Sequence, residues 1–282
     1  MARYKKKMKP MDWAGRWVLV TGASSGLGLE MARQLGMDQG ANLILVARRE
    51  ERLEALAEEI RSAGREVRVV AADLCIHDDV ARVIAASKEV PLYGAIFNAG
   101  ITHLGHWHAL EHEQFQRMLE LNVGSVVRLT SELVPHVEQQ GGGVLLVSSM
   151  AGLAPLPYQA AYSGMKAFLV HYGCSIWHEL EGRNVSVTTF CPGGIRTEMT
   201  EGGGFDGLRS WLMPVDVCAS SALSGFRKRK YLHVPGLTYS VLSKLQKLAP
   251  EPFTTSRVAV QYRTSLAKAD PQFLTGKGET KG

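Results

Sequence analysis

Short apolar runs, rich in β-branched residues, alternate along the chain with longer stretches in which apolar positions recur every three to four residues. The runs are "WVLVT" (17–21), "NLILVA" (42–47), "VRVVAA" (67–72), "GAIFN" (94–98), "GVLLVSS" (143–149) and "VSVTTF" (185–190). Between them the helical period predicts helices over Leu27–Gln39, Arg49–Ala63, Asp78–Lys88, Glu111–Gln140 and Ala160–Leu180. A strand without polar alternation is one covered on both faces, as a parallel sheet between two helical layers requires. Six or seven such units predict an α/β fold, a doubly wound parallel sheet in three α/β/α layers. No repeat or Gly/Ser-rich linker divides it. The pattern predicts one domain over 15–235, a basic tail before it (1–14), an amphipathic extension packed on it (236–268) and a disordered tail (269–282).

Composition agrees with a single large core: 282 residues, 45% hydrophobic and 21% charged. The four cysteines, Cys75, Cys174, Cys191 and Cys218, form no C-x-x-C pair, which gives a disulfide framework or zinc site little support and makes a reducing cytoplasm the expected setting. The net charge of +5 lies largely in "RYKKKMK" (3–9) and "RKRK" (227–230), read as a solvated tail and a surface loop and not as a nucleic-acid site. Basic residues open the chain without an apolar segment behind them, so no secretory signal is expected. Residues 141–165 carry no charge, but "GGG", Gln159, Pro155 and Pro157 break the run. They are read as a buried strand and a loop, not a membrane span.

"TGASSGLG" (21–28) follows the first strand and opens the first helix. There Gly22 permits a tight turn, Gly26 lets backbone approach a pyrophosphate, and Gly28 lets helix and strand pack closely. Such a turn in this place makes the sheet Rossmann-type, although the spacing is G-x-x-x-G-x-G and not the commoner G-x-G-x-x-G. The second strand ends in "VARRE", with Arg48 and Arg49 where an NAD-binding protein would place an acid for the ribose hydroxyls. This favours NADP over NAD, Arg48 being the first choice for a 2′-phosphate; the alternative is that both arginines start a solvated helix. Asp73 in "ADL" has two roles open to it, accepting from an adenine amino group or capping the next helix.

Tyr162 and Lys166 in "YSGMK" stand at i and i+4, about 6 Å apart along a helix axis and on one face. A fixed ammonium beside a phenol stabilises the phenolate and is expected to lower its pKa toward the range of a working acid/base. Ser149, at the end of a strand, is placed to hold a carbonyl oxygen as charge grows on it. Taken alone, Tyr-x-x-x-Lys reads as a helix surface pair ahead of a catalytic one.

Six segments in order, "TGASSGLG", "NAG" (98–100), Asn122 in "NVGS", Ser149 in "VSSMAG", "YSGMK" and "PGGIRT" (192–197), resemble the classical short-chain dehydrogenase/reductase family over about residues 15–235. The resemblance implies an NADP(H)-dependent oxidoreductase that moves hydride between nicotinamide and a carbonyl or secondary alcohol; the apolar residues of the segment at 198–214 make a lipophilic ketone the first choice of substrate. It implies Tyr162 as general acid/base, Lys166 as the group that tunes it and binds the nicotinamide ribose, Ser149 as the carbonyl anchor, and Asn122 as holder of a relay water. The cofactor positions it implies are Gly22, Ser24, Ser25, Gly26, Leu27 and Gly28; Arg48 and Arg49; Asp73 and Leu74; Asn98, Ala99 and Gly100; Tyr162 and Lys166; and Pro192, Gly193, Ile195 and Thr197. It calls for no metal, and it implies a homodimer or homotetramer built on the helices at 111–140 and 160–180. The rival reading is a catalytically idle, dinucleotide-binding regulatory or redox-sensing protein, for which the complete Asn122, Ser149, Tyr162 and Lys166 set has no physical use.

The departures fall where substrate is chosen. "EMTEGGGFDGLRSWLMP" (198–214) matches the family's mobile substrate loop, and Phe205, Trp211, Leu212 and Met213 are either a closing apolar wall or ordinary core. His103, His106, His108 and His112 are read as a polar, His-rich loop in preference to a metal site. The helix expected in "LTYSVLSKLQKLAP" either packs over the pocket or at a subunit interface, or rests on an anionic membrane surface beside "RKRK".

Overall fold

The computed structural model describes residues 8–200, 212–236 and 251–269. Seven strands, β1 (Trp17–Thr21), β2 (Asn42–Ala47), β3 (Val67–Ala71), β4 (Leu92–Phe97), β5 (Gly143–Val147), β6 (Ser186–Phe190) and β7 (Leu232–His233), form one parallel sheet in the order β3-β2-β1-β4-β5-β6-β7. The chain starts in the middle, runs outward through β2 and β3, then returns to lay β4 on the other side of β1. Where the winding reverses, the connections leave β1 and β4 in opposite directions and open a crevice at the strands' carboxyl ends.

The α-helices among the described residues are α1 (Gly26–Met37), α2 (Glu50–Ser62), α3 (His77–Lys88), α4 (His112–Leu119), α5 (Ser125–Gln139), α6 (Ala160–Glu179), α7 (Val215–Arg227) and α8 (Glu251–Ala269). Side chains alternate across each strand, so both faces need cover. Val18 and Val20 join Met31, Leu35, Ile60 and Phe226 beneath α1, α2 and α7. Leu19 points the other way, to Val83, Leu129, Leu133 and Leu169 beneath α3, α5 and α6. This two-sided burial is why the strands read as unbroken apolar runs.

The structure departs from the sequence reading in four places. The helix expected over Glu111–Gln140 is interrupted by a π-helical turn, Glu120–Gly124. The segment expected as a tail enters the core, with Met11 and Trp13 buried and Trp13 packed at 5.9 Å on Phe226. The "RKRK" run is partly stitched into the body: Arg229, in a left-handed conformation (φ 53), donates to the carbonyls of Lys9, Gly141 and Gly142 and to Ser186 Oγ. Finally, α7 had no separate sequence signal. The helix expected after Gly236, with Phe205 and Trp211, lies outside the described residues. Among the described residues no helix is long and apolar enough to cross a membrane.

Candidate active site

The glycine turn at the end of β1 is shaped by backbone that no side chain could share. Gly22 and Gly26 have φ of 70° and 54°, the left-handed region that glycine enters without strain. A Cβ on Gly28 would lie 2.3 Å from the Gly22 carbonyl oxygen. Thr21 ties this turn to the "NAG" segment: its Oγ accepts from the N–H groups of Asn98 (2.9 Å) and Ala99 (3.1 Å), and Asn98 Nδ2 donates to its carbonyl (3.1 Å). Ser25 makes no side-chain cap on α1, which leaves first-turn N–H groups facing the crevice.

A cavity of about 560 Å³ runs from this turn across the sheet's carboxyl edge to Tyr162. Every residue expected at the site lines it except Gly28, packed beneath the turn, and Asn122, buried behind Lys166. At the nucleotide end Asp73 is already engaged: it accepts from Cys75 N at 3.0 Å and from Arg117 at 2.7 Å. Burial alone would raise its pKa, but those two donors hold it below the usual carboxylate range. The helix after it begins only at His77, so Asp73 braces the loop and does not cap α3. Arg49 Nε donates to Ser24 Oγ at 3.2 Å, and its Nη1 pairs with Glu198 at 3.1 Å.

At the other end Ser149 leaves β5 and starts a 3₁₀ turn, its Oγ accepting from Ala151 N at 3.1 Å. Tyr162 and Lys166 come from the first turns of α6. Lys166 is 4% exposed and donates from Nζ to the Val147 carbonyl at 3.0 Å. Its own carbonyl accepts from Ser148 Oγ at 2.7 Å, which locks α6 to the end of β5. Asn122 sits on the π turn with both polar atoms used: Oδ1 accepts from Ile101 N at 3.0 Å and Nδ2 donates to Ile101 O at 2.8 Å. The extra residue of the π turn is what points this amide inward to the loop. Gly100 leaves the room, since a Cβ there would meet Asn122 Oδ1 at 2.7 Å and Lys166 Nζ at 3.6 Å.

The electrostatics differ from the sequence expectation. Burial pushes the Tyr162 phenol up to about 12, opposed by hydrogen bonding from Ser149 and aided by the nearby Tyr262 phenol. Burial likewise pushes the Lys166 ammonium down to about 8. The ammonium lies 5.6 Å from the Tyr162 ring centre and is turned to the Val147 carbonyl. In the protein by itself, desolvation therefore outweighs the attraction between the pair.

The extension expected to pack on the domain (236–268) includes α8, but sequence reasoning named none of its residues at the site. Val258, Gln261 and Tyr262, one face of that helix, line the cavity. Leu212 lines it as well, while Met213 joins Ile195 by an isolated bridge next to it. None of the four histidines lines the cavity; His106 and His108 stack at 5.2 Å outside it. Among the described residues no group of three His, Cys, Asp or Glu is placed to hold a metal.

A crevice at the winding reversal, with a glycine turn at one end and paired hydroxyls beside a buried lysine at the other, defines a Rossmann-type nucleotide-binding protein with a reaction chamber. Comparison with known proteins narrows this. The family model described as short chain dehydrogenase matches residues 16–204. A protein described as "11-beta-hydroxysteroid dehydrogenase" from Pinus massoniana is 34% identical over 197 residues, 68% of this chain and 54% of that one, so the chain spans about half of that relative's length. A short-chain dehydrogenase from Sphingobium yanoikuyae in complex with NADPH is 31% identical, with a TM-score of 0.75 over 82% of this chain and 94% of that one. The 3-ketoacyl-(acyl-carrier-protein) reductase from Brucella melitensis complexed with NADH is 28% identical, with a TM-score of 0.70 over 78% of this chain and 96% of that one. The chain belongs to the short-chain dehydrogenase family.

Proposed function

We propose that the protein is an NADP(H)-dependent carbonyl reductase or alcohol dehydrogenase acting on a lipophilic ketone or the matching secondary alcohol. The observation that carries this reading is that Ser149, Tyr162 and Lys166 line one end of a cavity that runs on to the glycine turn. The residues fit a dinucleotide. A Cβ at Gly22 would fall within 3.0 Å of the Asn98 and Ala99 atoms, and one at Gly26 would meet Thr197 at 3.2 Å, so backbone alone shapes the phosphate end. Gly22, Ser24, Gly26 and Thr197 would hold the pyrophosphate, Arg48 and Arg49 the 2′-phosphate, and Lys166 with Tyr162 the nicotinamide ribose. Relatives of this chain hold NADPH in one structure and NADH in another; the two arginines, without an acid, favour NADPH.

When bound, the cofactor supplies or accepts the hydride. The chain's own part is to orient and to move a proton. Ser149 donates to the substrate carbonyl oxygen and fixes its direction toward Tyr162. Tyr162, held protonated by burial, donates its phenolic proton to that oxygen during reduction and takes it back during oxidation. Lys166, its charge held close behind the ring, stabilises the phenolate left after transfer. Ile195, Leu156, Leu212 and Val258 give the chamber an apolar wall and exclude water, which supports a lipophilic substrate. The stacked Phe168 and Tyr172 and the exposed Leu119, on α6 and α4, support a homodimer or homotetramer. The cytoplasm is the location proposed for it.

The test is NADPH oxidation with a panel of bulky apolar ketones. Tyr162→Phe is expected to lower kcat by about a thousandfold or more while NADPH binding weakens only several-fold, since the ribose keeps Lys166 and the glycine turn is untouched. Turnover unchanged in that variant would overturn the acid/base assignment. NADPH binding with no turnover of any ketone or alcohol would favour the idle, dinucleotide-sensing alternative.

A further inference from the structure

Glu198 lies at the cationic end of the cleft. Its Oε2 accepts from Arg49 Nη1 at 3.1 Å and its Oε1 from Arg52 Nη1 at 2.7 Å, so one carboxylate spans two guanidinium groups. Arg49 is steadied from the glycine turn by Ser24 Oγ at 3.2 Å. Glu198 opens the single 3₁₀ turn Glu198–Thr200 that follows β6, in which Thr200 Oγ donates to Ile195 O at 2.7 Å. The preceding Thr197 lies over Gly26. Ser24, Arg49, Thr197 and Glu198 line the same cavity, so the carboxylate ties the segment after β6 to α2 at its edge.

Two guanidinium groups bridged by one anion are a phosphate-binding geometry. A phosphomonoester offers three oxygens and close to two charges, where a carboxylate offers two oxygens and one charge. Hydrogen bonds from Arg52 and then Arg49 hold the Glu198 carboxyl below the usual range, so it is ionised at neutral pH. The side chains of Arg49, Arg52 and Glu198 are 43%, 49% and 55% exposed, and ion pairs this exposed are individually weak. A stronger anion can therefore displace this one.

We infer that Glu198 is a built-in competitor for the 2′-phosphate of the cofactor, and hence a residue that sets the affinity for NADPH against NADH. The inference rests on the NADP(H) reading above. With NADPH, the phosphate takes Arg49 beside Arg48, with Arg52 reaching in from the edge of the cleft, and frees the turn at 198–200 from α2. With NADH, which has a bare 2′-hydroxyl, both ion pairs persist.

The experiment is a fluorescence titration of wild type, Glu198→Gln and Glu198→Ala with NADPH and with NADH, repeated in an Arg49→Ala/Arg52→Ala background. Glu198→Gln keeps the side chain's shape and removes its charge. Both Glu198 variants are expected to bind NADPH roughly three- to tenfold more tightly, as loss of two exposed ion pairs allows, and NADH within about twofold of wild type. The gain is expected to vanish in the double-alanine background and to shrink as salt is raised. Equal tightening for both cofactors would make Glu198 a general obstacle and overturn the inference. A wild-type preference for NADPH that neither Glu198 variant alters would overturn the role of Glu198 alone. Equal wild-type binding of the two cofactors, unchanged in the variants, would overturn the NADP(H) reading itself.

Discussion

Lys166 places its ammonium 5.6 Å from the centre of the Tyr162 ring, yet its hydrogen bond goes to the Val147 carbonyl at 3.0 Å. The lysine is thus anchored to the sheet and poised behind the phenol. Holding it there costs stability, because its pKa falls from 10.5 to about 8 through burial.

The sign of that cost is testable. Between pH 8 and 10.5 the unfolded chain binds a proton at Lys166 that the folded one has lost, so this group makes stability rise with pH through that window and imposes a constant penalty below it. Lys166→Met removes the charge and also the bond to Val147, which offsets part of the gain. Urea unfolding at pH 7 is expected to show the variant more stable by about 1–2 kcal/mol, with the advantage shrinking toward pH 10. A variant less stable at pH 7 would show that the ammonium is not paying a desolvation cost.

Two glycines, Gly28 on α1 and Gly164 on α6, are expected to respond oppositely to alanine. At Gly28 a Cβ would stand 2.3 Å from the Gly22 carbonyl, so Gly28→Ala must push the glycine turn away from α1. A loss of about 1–3 kcal/mol and weaker dinucleotide binding are expected. Gly164, between Tyr162 and Lys166, meets nothing within 4 Å, and Gly164→Ala is expected to gain about 0.5–1 kcal/mol from helix propensity. Thermal unfolding with and without NADPH reads both.

Tyr262 reaches the chamber from α8, far along the chain from Tyr162. Tyr262→Ala removes a wall without touching the phosphate end. The ratio of kcat/KM for bulky over small ketones is expected to rise several-fold, by on the order of 1 kcal/mol of differential binding, while NADPH affinity stays constant. An unchanged ratio with weakened NADPH binding would place Tyr262 against the cofactor instead.

Much of the sheet was legible because burial on both faces forces unbroken apolar strands, and β1 and β2 have the bounds the pattern predicts. The site's local parts were legible for a similar reason: turns and i, i+4 pairs are set by nearby residues. What escaped depends on distant packing. The π turn at Glu120–Gly124 interrupts an apolar period that continues through it, so no composition change marks it. The Arg49–Glu198 pair joins residues 149 apart. The direction of Lys166 is decided by a carbonyl on β5, and the rise in the Tyr162 pKa by how completely α8 and the strand ends exclude water.

The buried Met11 and Trp13 extend the folded body back past its first strand. Met11 bonds through its N–H to the Arg227 carbonyl at 2.9 Å, and Arg229 reaches the Lys9 carbonyl at 2.8 Å. A polypeptide trimmed to start at Trp17 would lose two large core side chains and leave a hole against Phe226. Any change at this end of the chain therefore has to keep Lys9 to Trp13 in place, or the clasp is lost.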